Sequence, residues 1–92
     1  MQTLKYHTDY LWKLIELNNN KLVSSSHDNS LIFYYKDNNN KYIKEYQFNI
    51  DGYSGCLIQT KENEICFSEY VYVKDKYSIY FYNLLEKKLL LE

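Results

Sequence analysis

The sequence contains no proline and only two glycines, so few positions enforce a positive φ or remove a backbone hydrogen-bond donor. Its turns must therefore depend on Asn, Asp and Ser, whose short polar side chains favour turn conformations. Runs of these residues stand at positions 18–20, 28–29 and 37–40. Long apolar runs are lacking as well, and none approaches the roughly 18 residues that suggest a membrane-spanning helix.

Neither sign of charge dominates, because 11 basic and 12 acidic residues give a net charge of −1. The chain has no basic stripe, so we expect no nucleic-acid partner. Cys56 and Cys66 lack metal-site or redox spacing, and we expect both to act as small hydrophobic residues within strands. Residues 1–10 carry charged side chains and no apolar leader pattern. These features favour a cytoplasmic or nuclear protein with no membrane partner, metal or other cofactor.

The chain has 92 residues, of which 46% are hydrophobic, enough for one small domain with a thin core. The periodicity is of β type throughout. It predicts strands at Leu11–Leu17, Lys21–Ser26, Ser30–Lys36, Tyr42–Ile50, Cys56–Thr60, Glu64–Val73, Ser78–Asn83 and Lys87–Leu91. A short leading edge strand is also expected near Thr3–Tyr6. A helix over Leu84–Leu91 stays open as an alternative, because Leu, Glu and Lys are good helix formers.

The predicted strands are of two kinds. Tyr42–Ile50 alternates, with Tyr42, Tyr46, Phe48 and Ile50 on the apolar face and Lys44 as the exception there. Leu11–Leu17 and Ser30–Lys36 instead carry apolar residues on both faces. Strands of this second kind need cover on both sides, which an isolated sheet does not provide.

An internal repeat is visible. LIELNNNKLVSS from Leu14 resembles LIQTKENEICFS from Leu57, an offset of 43 residues, and SLIFYY from Ser30 resembles SIYFYN from Ser78, an offset of 48. A period of about 40–45 residues with four strands is typical of propeller blades. We therefore predict an all-β fold of meandering antiparallel four-stranded sheets, forming two propeller-like blades. The predicted divisions are a leading edge strand and loop (1–10), a first blade (11–50) and a second, degenerate blade (51–92).

The stretch Thr3–Tyr35 resembles a unit of the WD-repeat β-propellers. Tyr6-His7-Thr8-Asp9 stands where that family has Gly-His-Thr-Asp, and LVSSSHDNS from Leu22 matches the middle of the unit. LIFYY from Leu31 stands where the last strand and its Trp-Asp pair fall. The resemblance implies a buried hydrogen-bond network of His7, Asp28, Tyr34 and one of Ser24 or Ser26, which would make the blade rigid.

Two chemical interpretations of these residues compete with the structural network. Ser24, His7 and Asp28 also have the residue types of a hydrolase triad, but the chain has no Gly-rich nucleophile elbow, so we predict a brace and no enzyme activity. His7 and His27 lack the additional ligands expected at a metal site.

The function implied by the resemblance is a non-catalytic scaffold that docks a protein partner on its inter-strand loops. Two blades cannot close a ring, so we expect further propeller blades or copies of the chain as partners, as in a fragment of a larger propeller, and self-association of the isolated chain. The alternative is a stand-alone sandwich or barrel that binds a single protein or small ligand. The candidate partner-surface residues are Tyr10, His27, Asn29, Tyr53 and Tyr77.

Overall fold

The fold is seen in a computed structural model that describes residues 4–18 and 20–89. These residues form two four-stranded antiparallel sheets, in each of which every strand pairs with the next in sequence. Sheet A contains β1 (Leu11–Glu16), β2 (Lys21–Ser26), β3 (Ser30–Lys36) and β4 (Tyr42–Asn49). Sheet B contains β5 (Leu57–Lys61), β6 (Glu64–Val71), β7 (Lys76–Asn83) and β8 (Lys88–Leu89). The predicted all-β fold with two meandering four-stranded sheets is confirmed.

The described strand bounds agree with the predicted ones to within one or two residues, and three segments differ in the type of element. β6 ends at Val71 rather than Val73, because residues 72–74 form a short 3-10 helix closed by Asp75 at φ 46°. Residues 4–6 are not a strand, and Thr3 lies outside the described residues. Residues 84–87 form a turn before β8, so the described part of 84–91 is not helical, and the last two positions lie outside the described residues.

Asparagine supplies the turn conformations that glycine supplies in many proteins. Asn20, Asn29 and Asn40 have φ values of 62°, 65° and 67°, in the left-handed region that Asn tolerates better than most residues. Each lies in a connection between neighbouring strands of sheet A. This chemistry explains how a meander forms with so little glycine.

The core lies between the two sheets, which pack face to face. Its buried residues come from both sheets: Leu17, Val23, Leu31, Phe33, Leu57, Ile65, Phe67 and Tyr82. The Phe33 and Tyr82 rings are stacked with centroids 5.4 Å apart, and Phe48 meets Phe67 edge to face at 6.2 Å. At one side of the stack β1 lies against β5. The first strands of the two sheets are therefore placed over one another.

The backbone reproduces the repeat seen in the sequence. The amide of His27 donates to the carbonyl of Tyr10 at 2.8 Å, and the amide of Tyr70 donates to the carbonyl of Tyr53 at 2.9 Å. Both donor and acceptor are shifted by the same 43 residues. The segment ahead of each sheet is thus fastened to that sheet in the same way.

A β-bulge explains why Lys44 breaks the alternation of β4. Phe33 pairs with Tyr46 but Tyr34 pairs with Lys44, so Glu45 is the extra residue. Tyr42 and Lys44 therefore share a face with Tyr34, and not with Tyr46 as the alternation predicted. Glu45 is bound instead by the Lys21 ammonium at 3.2 Å.

Each sheet has an outer face, directed away from the other sheet. By strand register, the outer face of sheet A includes Leu14, Leu22, Ser24, Ile32 and Tyr34, and Leu14 is 51% exposed. The outer face of sheet B includes Ile58, Ile79 and Phe81, and Ile79 is 65% exposed. Both sheets thus expose large aliphatic side chains on the faces that the shared core does not cover.

Candidate functional site

The segment ahead of β1 is held on sheet A by contacts near the turn between β2 and β3. Thr8 donates its amide to Asp28 Oδ2 at 3.0 Å, and Ser26 Oγ donates to the carbonyl of Asp9 at 3.3 Å. The Tyr6 ring packs on Tyr34 with centroids 5.9 Å apart. These contacts place the intervening His7 over the outer face of the sheet.

His7 is the centre of a polar network. Its Nδ1 lies 3.0 Å from Asp28 Oδ2, and its Nε2 lies 2.6 Å from Ser24 Oγ. Ser24 Oγ is in turn 2.8 Å from the hydroxyl of Tyr34. The side chains of His7 and Asp28 are only 8% and 11% exposed. The structure therefore brings together four of the five predicted network residues in one continuous chain.

One tautomer satisfies every link of the chain. With the proton on Nδ1, His7 donates to Asp28 and its Nε2 accepts from the Ser24 hydroxyl. Ser24 Oγ then accepts from the Tyr34 hydroxyl. The result is a one-directional relay from a phenol to a carboxylate, in which every polar atom named has a partner.

The pKa values at both ends of the network depart from their ordinary values. Burial alone would raise the pKa of Asp28, but hydrogen bonds from Ser30, the Thr8 amide and His7 outweigh it and hold that pKa below 3.8. Burial raises the pKa of Tyr34, and the hydrogen bond with Ser24 only partly opposes this. Near neutral pH the network thus combines a carboxylate with a neutral phenol.

Of the two serines that the prediction left open, Ser24 joins the network and Ser26 does not, and a third serine contacts Asp28. Ser26 lies outside the histidine network, and its hydroxyl accepts from the Asp28 amide at 3.2 Å. Ser30 was missed, although its hydroxyl donates to Asp28 Oδ1 at 2.5 Å. The Asp28-Asn29-Ser30 turn could have indicated this contact. An Asp that stands two residues before a Ser in a tight turn places the two side chains next to each other.

Ser24, His7 and Asp28 are linked in the order of a catalytic Ser–His–Asp triad. Whether the Ser24 hydroxyl could act as a nucleophile depends on its surroundings. Ser24 is 2% exposed, stands inside β2 and has its oxygen engaged by Tyr34. A cavity of about 630 Å³ borders it and His7, with Leu11 and Leu14 on the wall. A nucleophile must approach its substrate freely, whereas this hydroxyl is fixed in the sheet by two partners. The geometry suits a brace between the leading segment and β2.

Sheet B fastens its own leading loop by a different polar contact. Ile50 stands 43 residues after His7, so the histidine has no counterpart. The buried Glu69 carboxylate accepts instead from the amides of Asp51 and Gly52 at 2.8 and 3.2 Å, and from the Tyr80 hydroxyl at 3.2 Å. The sequence pattern did not reveal this role of Glu69.

A second site is an aromatic cluster formed by Tyr10, Trp12, His27 and Tyr53. The His27 ring is stacked on Tyr53 with centroids 4.2 Å apart and an interplanar angle of 11°. Trp12 and Tyr10 lie 5.7 and 6.5 Å from the same imidazole. Trp12 and Tyr10 are 51% and 77% exposed, so the cluster has an open surface beside a histidine whose Nδ1 is buried without a hydrogen-bond partner.

The cluster contains three of the five predicted partner-surface residues. Tyr10, His27 and Tyr53 meet there, and Asn29 shares a groove of about 220 Å³ with Tyr53. Tyr77 lies apart from it on the outer face of sheet B, stacked on Tyr70 at 4.5 Å. Trp12 was not predicted as a surface residue. A register shift between Leu11 and Lys13 breaks the alternation of side chains along β1 at this position.

The search for similar proteins gave no match among family models and none among curated proteins. Within residues 4–18 and 20–89, no helix is long and apolar enough to cross a membrane. The same residues contain no group of three or more His, Cys, Asp or Glu that could hold a metal ion. Cys56, predicted as a strand residue, is exposed and precedes β5.

Proposed function

We propose that this chain is a non-catalytic protein-binding scaffold built from two blades of the WD-repeat type, and that a protein partner docks on the aromatic cluster. The observation that carries the proposal is the gathering of Tyr10, Trp12 and Tyr53 around His27 at one end of the stacked sheets. Trp and Tyr are enriched among interface residues that contribute most to binding energy.

The polar network supports the scaffold part of this proposal. His7 ties the leading segment to β2, and the same segment carries Tyr10 at its end. Asp28 ties that segment to the turn that carries His27. The brace therefore positions both the exposed Tyr10 and the half-buried His27 of the aromatic cluster, so that a partner would bind a surface that is already ordered and lose little conformational entropy.

Peptide selection against the purified chain tests the proposal. A random peptide library is panned on the immobilised chain, and enriched sequences are measured by calorimetry against the wild type and Trp12→Ala. We expect about tenfold or greater weakening in the variant, since truncating an interface tryptophan costs more than about 1.4 kcal/mol. Peptides that bind both proteins equally would contradict a docking site at the aromatic cluster.

A matched pair of tyrosines controls for non-specific loss of aromatic surface. Tyr10 and Tyr77 are 77% and 75% exposed, but only Tyr10 contacts His27. We expect Tyr10→Ala to weaken peptide binding and Tyr77→Ala to leave it unchanged. Circular dichroism of both variants establishes that their sheets are intact.

The second candidate is a stand-alone β-sandwich that binds one protein or small ligand. The shared core favours it, because both sheets bury their facing residues against each other within 92 residues. The Cα radius of gyration, 13.1 Å, is also close to the roughly 12 Å expected for a compact domain of this length. A monomer that unfolds in one cooperative transition at every protein concentration would favour the sandwich over propeller-like blades.

A further inference from the structure

The two sheets are related by a repeat that is translational rather than two-fold. Leu14 of sheet A corresponds to Leu57 of sheet B, and Tyr34 corresponds to Tyr82. Leu57 and Tyr82 belong to the core between the sheets, whereas Leu14 lies on the outer face of sheet A. The outer face of sheet A is thus the counterpart of the face that sheet B directs at sheet A.

The same correspondence holds in the other direction. Leu31 and Phe33 face sheet B, and their counterparts 48 residues later are Ile79 and Phe81 on the outer face of sheet B. An interface that joins two different faces leaves one face of each kind free after every added unit, so its geometry does not end the assembly. The interface between sheets A and B therefore shows what kind of surface would fit the exposed part of each outer face.

Contacts inside the chain define which residues would meet. Phe33 stacks on Tyr82 at 5.4 Å, but Tyr34, the counterpart of Tyr82, is covered by Tyr6 and only 2% exposed, so the open part of the outer face of sheet A lies along β1. Leu31 and Leu57 share one buried cluster, which corresponds to Ile79 of one copy against Leu14 of the next. Ile79 and Leu14 are 65% and 51% exposed, so such a contact would remove apolar surface from water.

Charge supports the same pairing. Inside the chain, the Asn18 amide donates to the Gln59 side chain at 3.2 Å across the two sheets. The counterparts 43 residues away are Lys61 and Glu16, which are both exposed. The counterpart between copies is the Lys61 amide donating to the Glu16 carboxylate, and this contact would bring the Lys61 ammonium near a charge of opposite sign, which favours this register.

We propose that the outer face of sheet B in one copy docks on the open β1 part of the outer face of sheet A in a second copy, around Leu11 and Leu14, head to tail, with Lys61 beside Glu16. Each added copy covers one apolar face and presents another, so that assembly continues beyond a dimer as concentration rises. The interface lies on the outer sheet faces and does not use the aromatic cluster.

Charge reversal with rescue tests the proposal in sedimentation velocity across a concentration series. Lys61→Glu places two negative charges together at the proposed contact, and Glu16→Lys places two positive ones, so we expect each variant alone to associate about tenfold more weakly than the wild type. Mixing the two variants pairs Glu at position 61 with Lys at position 16. The other contact in the mixture pairs Lys61 with Glu16, so we expect alternating assemblies of the two variants that form at lower concentration than the assemblies of either variant alone.

An apolar substitution with a matched control tests the faces themselves. Ile79→Lys lies on the outer face of sheet B and is expected to abolish assembly. Leu85→Lys, in the turn after β7, alters a side chain that is 73% exposed but lies off both faces, and it is expected to assemble like the wild type. Carbodiimide coupling in a mixture of isotope-labelled and unlabelled chains should join Lys61 to Glu16 with mixed isotopic masses.

A wild-type chain that stays monomeric at all concentrations would overturn the proposal. So would equal assembly of Ile79→Lys and Leu85→Lys, or failure of the mixed charge variants to associate. These outcomes are separable from those of the peptide experiment, because Trp12→Ala leaves both outer faces unchanged and is expected to assemble normally.

Discussion

His7 Nε2 lies 2.6 Å from Ser24 Oγ, and this contact joins the segment ahead of β1 to the second strand of sheet A. The other ring nitrogen of His7 binds Asp28 in the turn before β3 at 3.0 Å. One nearly buried imidazole thus connects three parts of the chain that are distant in sequence. Its loss would leave a serine and a carboxylate without their shared partner.

Replacement of this imidazole should lower stability substantially. In His7→Ala, Ser24 and Asp28 each lose a hydrogen bond in a nearly buried site, so we expect a loss of about 2–3 kcal/mol in the free energy of unfolding. Urea titration followed by the fluorescence of Trp12 and by far-UV circular dichroism measures the change. The exposed Glu62 provides a control, and Glu62→Gln is expected to change stability by less than about 0.5 kcal/mol. Equal stability of the two variants would contradict the brace.

The lowered pKa of Asp28 predicts an acid dependence of stability. Near pH 3.8 the folded chain binds fewer protons at Asp28 than the unfolded chain, because the folded pKa lies below that ordinary value. The stabilisation is therefore complete above about pH 4–5 and is lost as the pH falls through the folded pKa. Urea midpoints between about pH 6 and pH 2 should decline less steeply in Asp28→Asn than in the wild type. Parallel declines would show that Asp28 has an ordinary pKa in the folded chain.

Most strands could be predicted because short segments rich in apolar and β-branched residues are bounded by Asn- and Asp-rich turns. Lys21–Ser26 and Ser30–Lys36 were predicted with the bounds that the structure shows. His7 contacts Ser24 and Asp28, which are residues that the family resemblance places in one network. Local sequence was informative here because each residue's role depends on a short turn or a regular ladder.

Features that depend on a register shift could not be predicted. The extra residue at Glu45 moves Lys44 and Tyr42 to the outer face, and the shift next to Leu11 exposes Trp12. A period-two pattern assumes an uninterrupted hydrogen-bond ladder between strands, so it does not indicate where a β-bulge changes the register. The aromatic cluster depends on such a shift, and therefore only part of it was found.

The close approach of Gly52 to β6 predicts a sharp difference between the two glycines. A Cβ atom at Gly52 would lie 2.1 Å from the Tyr70 carbonyl oxygen, whereas one at Gly55 would meet nothing within 4 Å. Gly52→Ala must push a backbone segment away and is expected to lose roughly 2–4 kcal/mol. Gly55→Ala is expected to be neutral or slightly stabilising, because it restricts only the unfolded chain. Denaturant titration of both variants measures the difference, and similar values would contradict the contact.

Reactivity of Ser24 separates a brace from a hydrolase. Its hydroxyl is buried and held by His7 and by Tyr34, so we expect a fluorophosphonate reagent to leave Ser24 unmodified in the folded chain. Intact-mass spectrometry measures the adduct, with an active serine hydrolase as the positive control. Tyr34→Phe removes one of the two partners and is expected to reduce stability by about 1 kcal/mol without producing an adduct. A stoichiometric adduct on Ser24 that disappears in His7→Ala would instead show that the relay activates the serine, and would make catalysis the better account of this network.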